Sequence, residues 1–428
     1  MRPCTIRPVA DHPYFFTWGA QKDARPISLV GGEGAHFELA TGERWLDLGS
    51  LIYQANLGHG NRRVIDAVKA QADRLCLAIP AADYPEKREL AERLLAKAPD
   101  GFDRVFFTLG GSDANENAIK IARMATGKFK LLARYRSYHG ATMGAVSLTG
   151  DARRMAVEPG LPGVVHVSDF DCGACPGGVR APDCAHAPLT HIPATLSREG
   201  DGVAAVFVES IVGANGVLIP PPGYMAEVRD ACDRHGALLV MDEVLVGFGR
   251  TGRFFALDHE GIVPDLITCG KAITGGYGTL GAVLVHERVS AHFDDRALVT
   301  GLTHYAHPLG VAAALETLRV IDDEGLVDRA AALEGTLRAG LERIVQAAGT
   351  WGGQTRCRGL LGGVELDLGA GRYEALKSAL VARCVHAHLP LQRNILVIAP
   401  PLVIGEEELR DGLGTVADAV QEAFGVRP

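Results

Sequence analysis

A single lysine, Lys271, sits in the stretch DLITCGKAITGGYGTLGAVLV between two apolar runs, Leu266 to Cys269 and Leu280 to Val285. An ammonium buried without compensation tends to give up its proton, and a neutral amine is a nucleophile. Two carboxylates close apolar runs in the same manner, Glu209 in VFVESIVGANG and Asp242 in ALLVMDEVLVGFGRTG. Each needs a cation or a protonated nitrogen beside it. For Asp242 the ordinary alternatives are a helix cap or a salt bridge to Arg250.

Two further segments carry groups that suit a ligand. LGGSDANENAIK places Gly110, Gly111 and Ser112 ahead of Asp113, where a helix opens. The glycines allow close backbone approach, Ser112 caps or donates, and the helix start offers free N–H groups to an anion. The segment matches neither the P-loop nor the dinucleotide fingerprint. RYRSYHG supplies Tyr138, His139 and Gly140, an aromatic ring beside a flexible backbone that can lie against a planar ligand. A phosphate cradle, a stacking ring, a buried aspartate and a desolvated lysine form one device. The ligand that needs all four is pyridoxal 5'-phosphate, with the aspartate holding its ring nitrogen protonated and the lysine meeting its aldehyde.

The elements that position these groups follow from periodicity. Strands are expected at Arg104 to Leu109, Leu131 to Arg134, Ala204 to Val208, Ala237 to Met241, Leu266 to Cys269 and Leu280 to Val285. Helices such as Asp113 to Ala125 and Tyr224 to Arg234 fall between them. That alternation predicts an α/β fold with a mostly parallel sheet flanked by helices, and ligands bind beyond the carboxyl ends of such strands. A large domain over residues 57–320 and a smaller α+β domain built from residues 1–56 and 321–428 are expected. Short strands such as Leu360 to Leu366 and Ile395 to Ile398 belong to the smaller one.

The chain has 428 residues, 47% of them hydrophobic and 22% charged, with a formal net charge of -8. No basic stripe suggests nucleic acid as a partner, and no apolar run reaches membrane-spanning length, so a cytoplasmic protein is expected. Cysteines are scattered, except in DCGACPGGVRAPDCAHAPLTH. Cys172, Cys175, Cys184, His186 and His191 are zinc-ligand types, but the second half lacks the paired spacing and the loop carries four prolines. The segment reads as an insertion with free thiols, and no metal is assigned.

The ordered set GGSDANENAIK, YHG, VES, MDEVLVGFGRTG, CGKAITGG and GLTHYAHPLG, with 29 positions from Asp242 to Lys271, resembles the class III pyridoxal-phosphate-dependent aminotransferases of fold type I over nearly the whole chain. The resemblance implies Lys271 as the Schiff-base lysine and Asp242 as the pyridinium partner. It implies Tyr138 and Val244 on the two faces of the ring, with His139 and Glu209 close by. Gly111, Ser112 and Asp113 would lie at the phosphate. Thr303 would reach the phosphate of a neighbouring subunit, which implies a homodimer with shared active sites and leaves a tetramer open.

Departures from the wider family bear on substrate. Ala214 stands where the ornithine, acetylornithine and 4-aminobutyrate branch has a glutamate, and Leu245 where it has a glutamine. Both resemble the taurine and ω-amino acid:pyruvate branch, which implies pyruvate as acceptor rather than 2-oxoglutarate. Arg393 resembles that branch's mobile carboxylate-binding arginine. Tyr53, Phe16 and Trp18 fall where it builds the donor pocket, with core packing as their alternative. An aminomutase or decarboxylase on the same scaffold is the other reaction class, although decarboxylase relatives carry the glutamine that Leu245 replaces.

Overall fold

The structure, a computed structural model, describes residues 13–24, 26–170, 187–369, 371–390 and 394–425. Arg393 and the cluster Cys172, Cys175, Cys184 and His186 lie outside the described residues. Near the amino end, strands β1 (Leu29–Glu33), β2 (His36–Leu39) and β3 (Arg44–Asp47) form an antiparallel ribbon. The middle of the chain supplies β4 (Phe102–Thr108), β5 (Lys130–Arg134), β6 (Val164–Val167), β7 (Val203–Glu209), β8 (Leu238–Asp242), β9 (Leu266–Cys269) and β10 (Gly281–His286). These form a 7-stranded sheet in the order β4-β10-β9-β8-β7-β5-β6.

Strand β10 runs antiparallel to both β4 and β9, while β9, β8, β7, β5 and β6 are parallel. The sheet is apolar on both faces, as a helix-covered parallel sheet must be. Leu131, Ala133, Phe207, Val240 and Val283 pack on one side with Ala118, Ile119 and Ala122 of the helix Gly111–Thr126. Leu132, Val206, Val208, Leu239, Met241 and Ile267 pack on the other with Met225 and Val228 of the helix Tyr224–His235. The expected strands and helices appear within a residue or two, and β6 was not expected.

Toward the carboxyl end, β11 (Gly352–Arg358), β12 (Leu361–Leu366) and β14 (Ile395–Ile398) make a 3-stranded sheet, and β13 (Val385–His386) joins the amino-terminal ribbon by pairing parallel with β3. The two ends of the chain therefore share one sheet. Among the described residues, no helix is long and apolar enough to cross a membrane.

One side chain connects these parts. Arg250 is fully buried and does not pair with Asp242. Its Nη1 donates to the carbonyls of Leu360, at 3.0 Å, and Pro400, and its Nη2 to Ser50 Oγ at 3.0 Å and Asn56 Oδ1 at 2.6 Å. Burial pushes the guanidinium down to about 9, so it stays charged at neutral pH. Arg250→Met removes the cation and leaves these acceptors unpaired in the interior, a loss of about 3–5 kcal/mol. Chemical denaturation monitored by circular dichroism should show that drop with little change in the slope of the transition.

Candidate active site

The parallel strands end together, and the residues just past them converge. Strand register sets Glu209 directly opposite Asp242 at the ends of β7 and β8. Asp242 is 3% exposed. Its Oδ2 accepts from Asn115 Nδ2 at 2.7 Å and from His139 Nδ1 at 2.7 Å, and among the described residues its Oδ1 accepts only from the Val244 N–H at 3.0 Å. Asn115 is fixed in turn, with Thr268 Oγ1 donating to its Oδ1 at 2.9 Å and its Nδ2 also reaching the His139 carbonyl at 2.8 Å. Oδ2 is saturated, which leaves Oδ1 as the oxygen able to take a protonated nitrogen.

Glu209 is differently placed. Its Oε1 accepts from the Tyr138 N–H at 3.1 Å and its Oε2 from the Gly213 N–H at 2.9 Å. Burial, with the Asp242 charge added to it, raises the Glu209 carboxyl above its ordinary range. It holds the backbone that carries Tyr138.

Lys271 opens a short turn after β9, half-buried, with a positive φ of 42° that a lysine rarely adopts. Burial lowers its pKa, and Arg153 pushes the same way against the opposing charges of Asp242 and Glu209. Among the described residues nothing hydrogen-bonds to its amine. The turn is pressed against the first sheet edge: a Cβ on Gly270 would come within 2.7 Å of the Gly111 nitrogen, and one on Gly111 within 2.4 Å of Val244 Cγ1. Those contacts bring Lys271, Val244 and the helix start at Gly111 to one place, and only glycine permits them.

The helix Gly111–Thr126 begins there with the N–H groups of Gly111, Ser112 and Asp113 outside its own ladder. Ser112 Oγ is fastened to the next loop, accepting from the Ala141 and Thr142 N–H groups at 2.9 Å each. The Asp113 carboxylate turns back to accept from the Leu109 N–H at 2.9 Å, so what this residue offers an anion is its backbone. Tyr138 projects beside this loop, half-buried, with Trp18 edge-on at 5.9 Å.

Of the other expected site residues, Tyr53, Ala214 and Leu245 pack together in one apolar cluster with Ile211 and Val217. Tyr53 is 1% exposed and its hydroxyl has no hydrogen-bond partner among the described residues. Phe16 turns its ring toward Tyr14 at 5.4 Å. Thr303 lies on an exposed turn before the helix Pro308–Asp323.

Two residues went unanticipated. Arg153 lies over the Tyr138 ring at 3.9 Å and over Trp18 at 5.4 Å, gripped by Asp151 through Nε at 3.0 Å and through Nη2. Nothing in GDARRM distinguishes it from a surface arginine. Asn115 had a signal: it is a polar residue in register with Ala118, Ile119 and Ala122 on the buried face of its helix.

A family model described as aminotransferase class-III matches residues 18–420. An acetylornithine aminotransferase of Methanopyrus kandleri is 36% identical over 398 residues, covering 92% of this chain and 95% of that one. Another from Mycobacterium leprae is 38% identical over 391 residues, 90% and 88% of the two chains. Among solved structures, the taurine:2-oxoglutarate aminotransferase of Bifidobacterium kashiwanohense, in complex with PLP and glutamate, superposes with a TM-score of 0.90 at 35% identity over 96% of both chains. A thermostable omega transaminase mutant from Pseudomonas jessenii gives 0.88 at 26% identity over 97% and 96%.

Directly beneath the site lies Glu243, fully buried. It shares a short hydrogen bond with Ser210 Oγ and accepts from the Ala256 and Leu257 N–H groups at 2.8 and 2.9 Å. Burial outweighs these donors and pushes its carboxyl up to about 8 from 4.5. The folded state then holds a proton that the unfolded state releases. Stability from this group is complete below 4.5 and is lost as pH rises toward 8, at up to about 1.4 kcal/mol per pH unit. Glu243→Gln, neutral throughout, should remove that part of the slope when melting temperature is followed from pH 5 to 8.

Proposed function

This chain belongs to the class III aminotransferases, which depend on pyridoxal 5'-phosphate, and we propose that it moves an amino group from an ω-amino acid or amine (taurine, β-alanine or a related amine) to pyruvate by a ping-pong mechanism. The residues present fit the cofactor. Asp242 Oδ1 is the open acceptor for a ring nitrogen, the helix start at Gly111 to Asp113 suits its phosphate, Tyr138 and Val244 suit its two faces, and Lys271 suits its aldehyde. When bound, the group acts as an electron sink for the carbon that bears the substrate amine.

The chain's own residues then have separate tasks. Lys271 Nζ, held low by burial, accepts the proton that leaves the amine-bearing carbon. His139 and Asn115 orient Asp242, and Glu209 fixes the backbone under Tyr138. Arg153 binds the acid end of the donor, and this placement carries the reading: a guanidinium laid on the Tyr138 ring, held by Asp151 on one edge, with Nη1 left for a carboxylate or sulfonate. Arg393 would serve the acceptor. The apolar wall of Tyr53, Ala214 and Leu245 suits the short methyl end of pyruvate. The likeness to a taurine:2-oxoglutarate enzyme favours 2-oxoglutarate as the second reading for the acceptor.

Half-reactions separate these readings. An ω-amino acid should bleach the visible band of the holoenzyme, and pyruvate should restore it faster than 2-oxoglutarate; restoration by 2-oxoglutarate alone transfers the assignment to the second reading. Lys271→Ala should abolish turnover. Arg153→Leu should raise KM for acid-bearing donors about tenfold or more while sparing a plain alkylamine.

The enzyme in this reading is a homodimer, with Thr303 of each subunit serving the other's phosphate. Leu77, Ile79 and Val299 are 78%, 69% and 78% exposed. Hydrogen bonds from Thr300 to Asn117 at 2.7 Å and from Tyr84 to the Ala306 carbonyl at 2.5 Å set their segments along the same edge as the helix start at Gly111. So much apolar surface calls for a partner. Sedimentation equilibrium should give twice the 45.3 kDa chain mass at micromolar concentration, and Val299→Asp with Leu77→Asp should give monomers of low activity.

A further inference from the structure

The turn from Gly49 to Tyr53 is the most strained backbone near the site. Ser50, Leu51 and Tyr53 have φ of 46°, 55° and 59°, in the left-handed region that side chains disfavour. Three such residues in one turn persist only when their surroundings over-determine them.

Two buried charges do so. On one side, the fully buried carboxylate of Asp47 accepts from the Gly49 N–H at 3.1 Å and the Leu51 N–H at 2.8 Å. It also bonds His59 Nε2 at 2.9 Å and His386 Nδ1 at 2.8 Å, the second from β13. On the other side, Arg250 donates to Ser50 Oγ and to Asn56 Oδ1, and Ser50 Oγ passes a hydrogen bond of 2.6 Å to the Ala399 carbonyl. The turn is strung between an anion and a cation, and the Asp47 charge opposes the lowering of the Arg250 pKa by burial. What it delivers is Tyr53, whose ring packs with Ala214 and Leu245 and meets His388 edge-on at 5.1 Å.

We propose that Asp47 and Arg250 are positioning residues for donor binding: they clamp the left-handed Gly49–Tyr53 turn from both ends and so fix Tyr53 as a wall of the substrate pocket. This rests on the reading of Tyr53 as a pocket residue. It goes beyond that reading by assigning specificity to a polar device remote from Lys271 and made from three separate parts of the chain. Asp47 contacts none of the residues that suit the cofactor, so loosening it should alter substrate binding and leave the cofactor in place. Asparagine at position 47 keeps one acceptor oxygen where the carboxylate uses both, and the turn loses half of that anchor.

The test uses the holoenzyme and its best ω-amino donor. Asp47→Asn should retain the bound-cofactor absorbance band and a kcat within about twofold of wild type, while KM for the donor rises about tenfold. Adding Leu51→Gly, which removes the cost of the left-handed residue, should restore much of that KM, and Leu51→Gly alone should leave wild-type kinetics. An unmoved KM, a loss of kcat and band in step with KM, or no rescue by Leu51→Gly each overturns the proposal. If Asp47→Asn does not fold, His386→Phe removes one carboxylate partner and should raise KM in the same direction; an unchanged KM again overturns it. A wild-type protein that no ω-amino donor bleaches defeats the functional reading instead, and any donor that does turn over can then carry the same comparison.

Discussion

A buried arginine without a carboxylate in contact is an expensive thing to build, and Arg250 organises the molecule because of that expense. An interior guanidinium must find an acceptor for each N–H it can, and the four acceptors here come from three separate stretches of chain, Ser50 and Asn56 in one, Leu360 and Pro400 in the others. None of these segments can move without stranding a charge. A lysine could not do the same work, since a single ammonium cannot span carbonyls and side chains set in a plane. The charge thus converts a sheet-end loop after β8 into the point where the amino-terminal turn and the carboxyl-terminal strands are held in register with the central sheet.

The same economy of charge governs the site. Register alone would put two carboxylates side by side at the ends of β7 and β8, and both cannot ionise freely in a dry interior. The structure divides them. Asp242 receives a histidine and an asparagine on one oxygen and a backbone N–H on the other. Glu209 receives backbone N–H groups only, and burial drives it toward the neutral form. The fully buried Arg134, whose Nη2 donates to the Glu209 carbonyl at 2.6 Å, softens the remaining charge. Asp242 Oδ1 is the oxygen that the proposed reading gives to a protonated ring nitrogen, and burial lowers the pKa of Lys271.

How much of this could be read beforehand depends on where each residue sits. Residues at strand ends were legible, because an apolar run that stops in Glu209, Asp242 or the glycine before Lys271 announces both the strand and the anomaly. The helix start at Gly111 was legible for the same reason, from paired glycines ahead of a periodic helix. The strand β6 was not: Val164–Val167 is four residues long and edges the sheet, too short for alternation to show. Arg153 and Asp47 were not, since each takes its meaning from partners far away in sequence or from rings that fold over it. The alternative pairing of Asp242 with Arg250 failed on topology. The seven residues from Glu243 to Gly249 carry the arginine off the sheet end and toward the chain termini.

Chemistry and selectivity are therefore built from different material. The groups that handle charge and protons at the reacting carbon stand at the ends of central strands, whose positions are set by two packed faces and cannot drift. The groups that the proposed reading gives to the rest of the substrate stand on short or irregular segments: Tyr53 on a strained turn, Trp18 near the amino terminus, Arg153 in the four-residue helix Ala152–Met155. Turns tolerate substitution where strands do not. A scaffold of this kind can change its amine without touching Lys271 or Asp242. It can do so only while something rigid still aims the turns, and in this chain that requirement falls on the buried pair of Asp47 and Arg250.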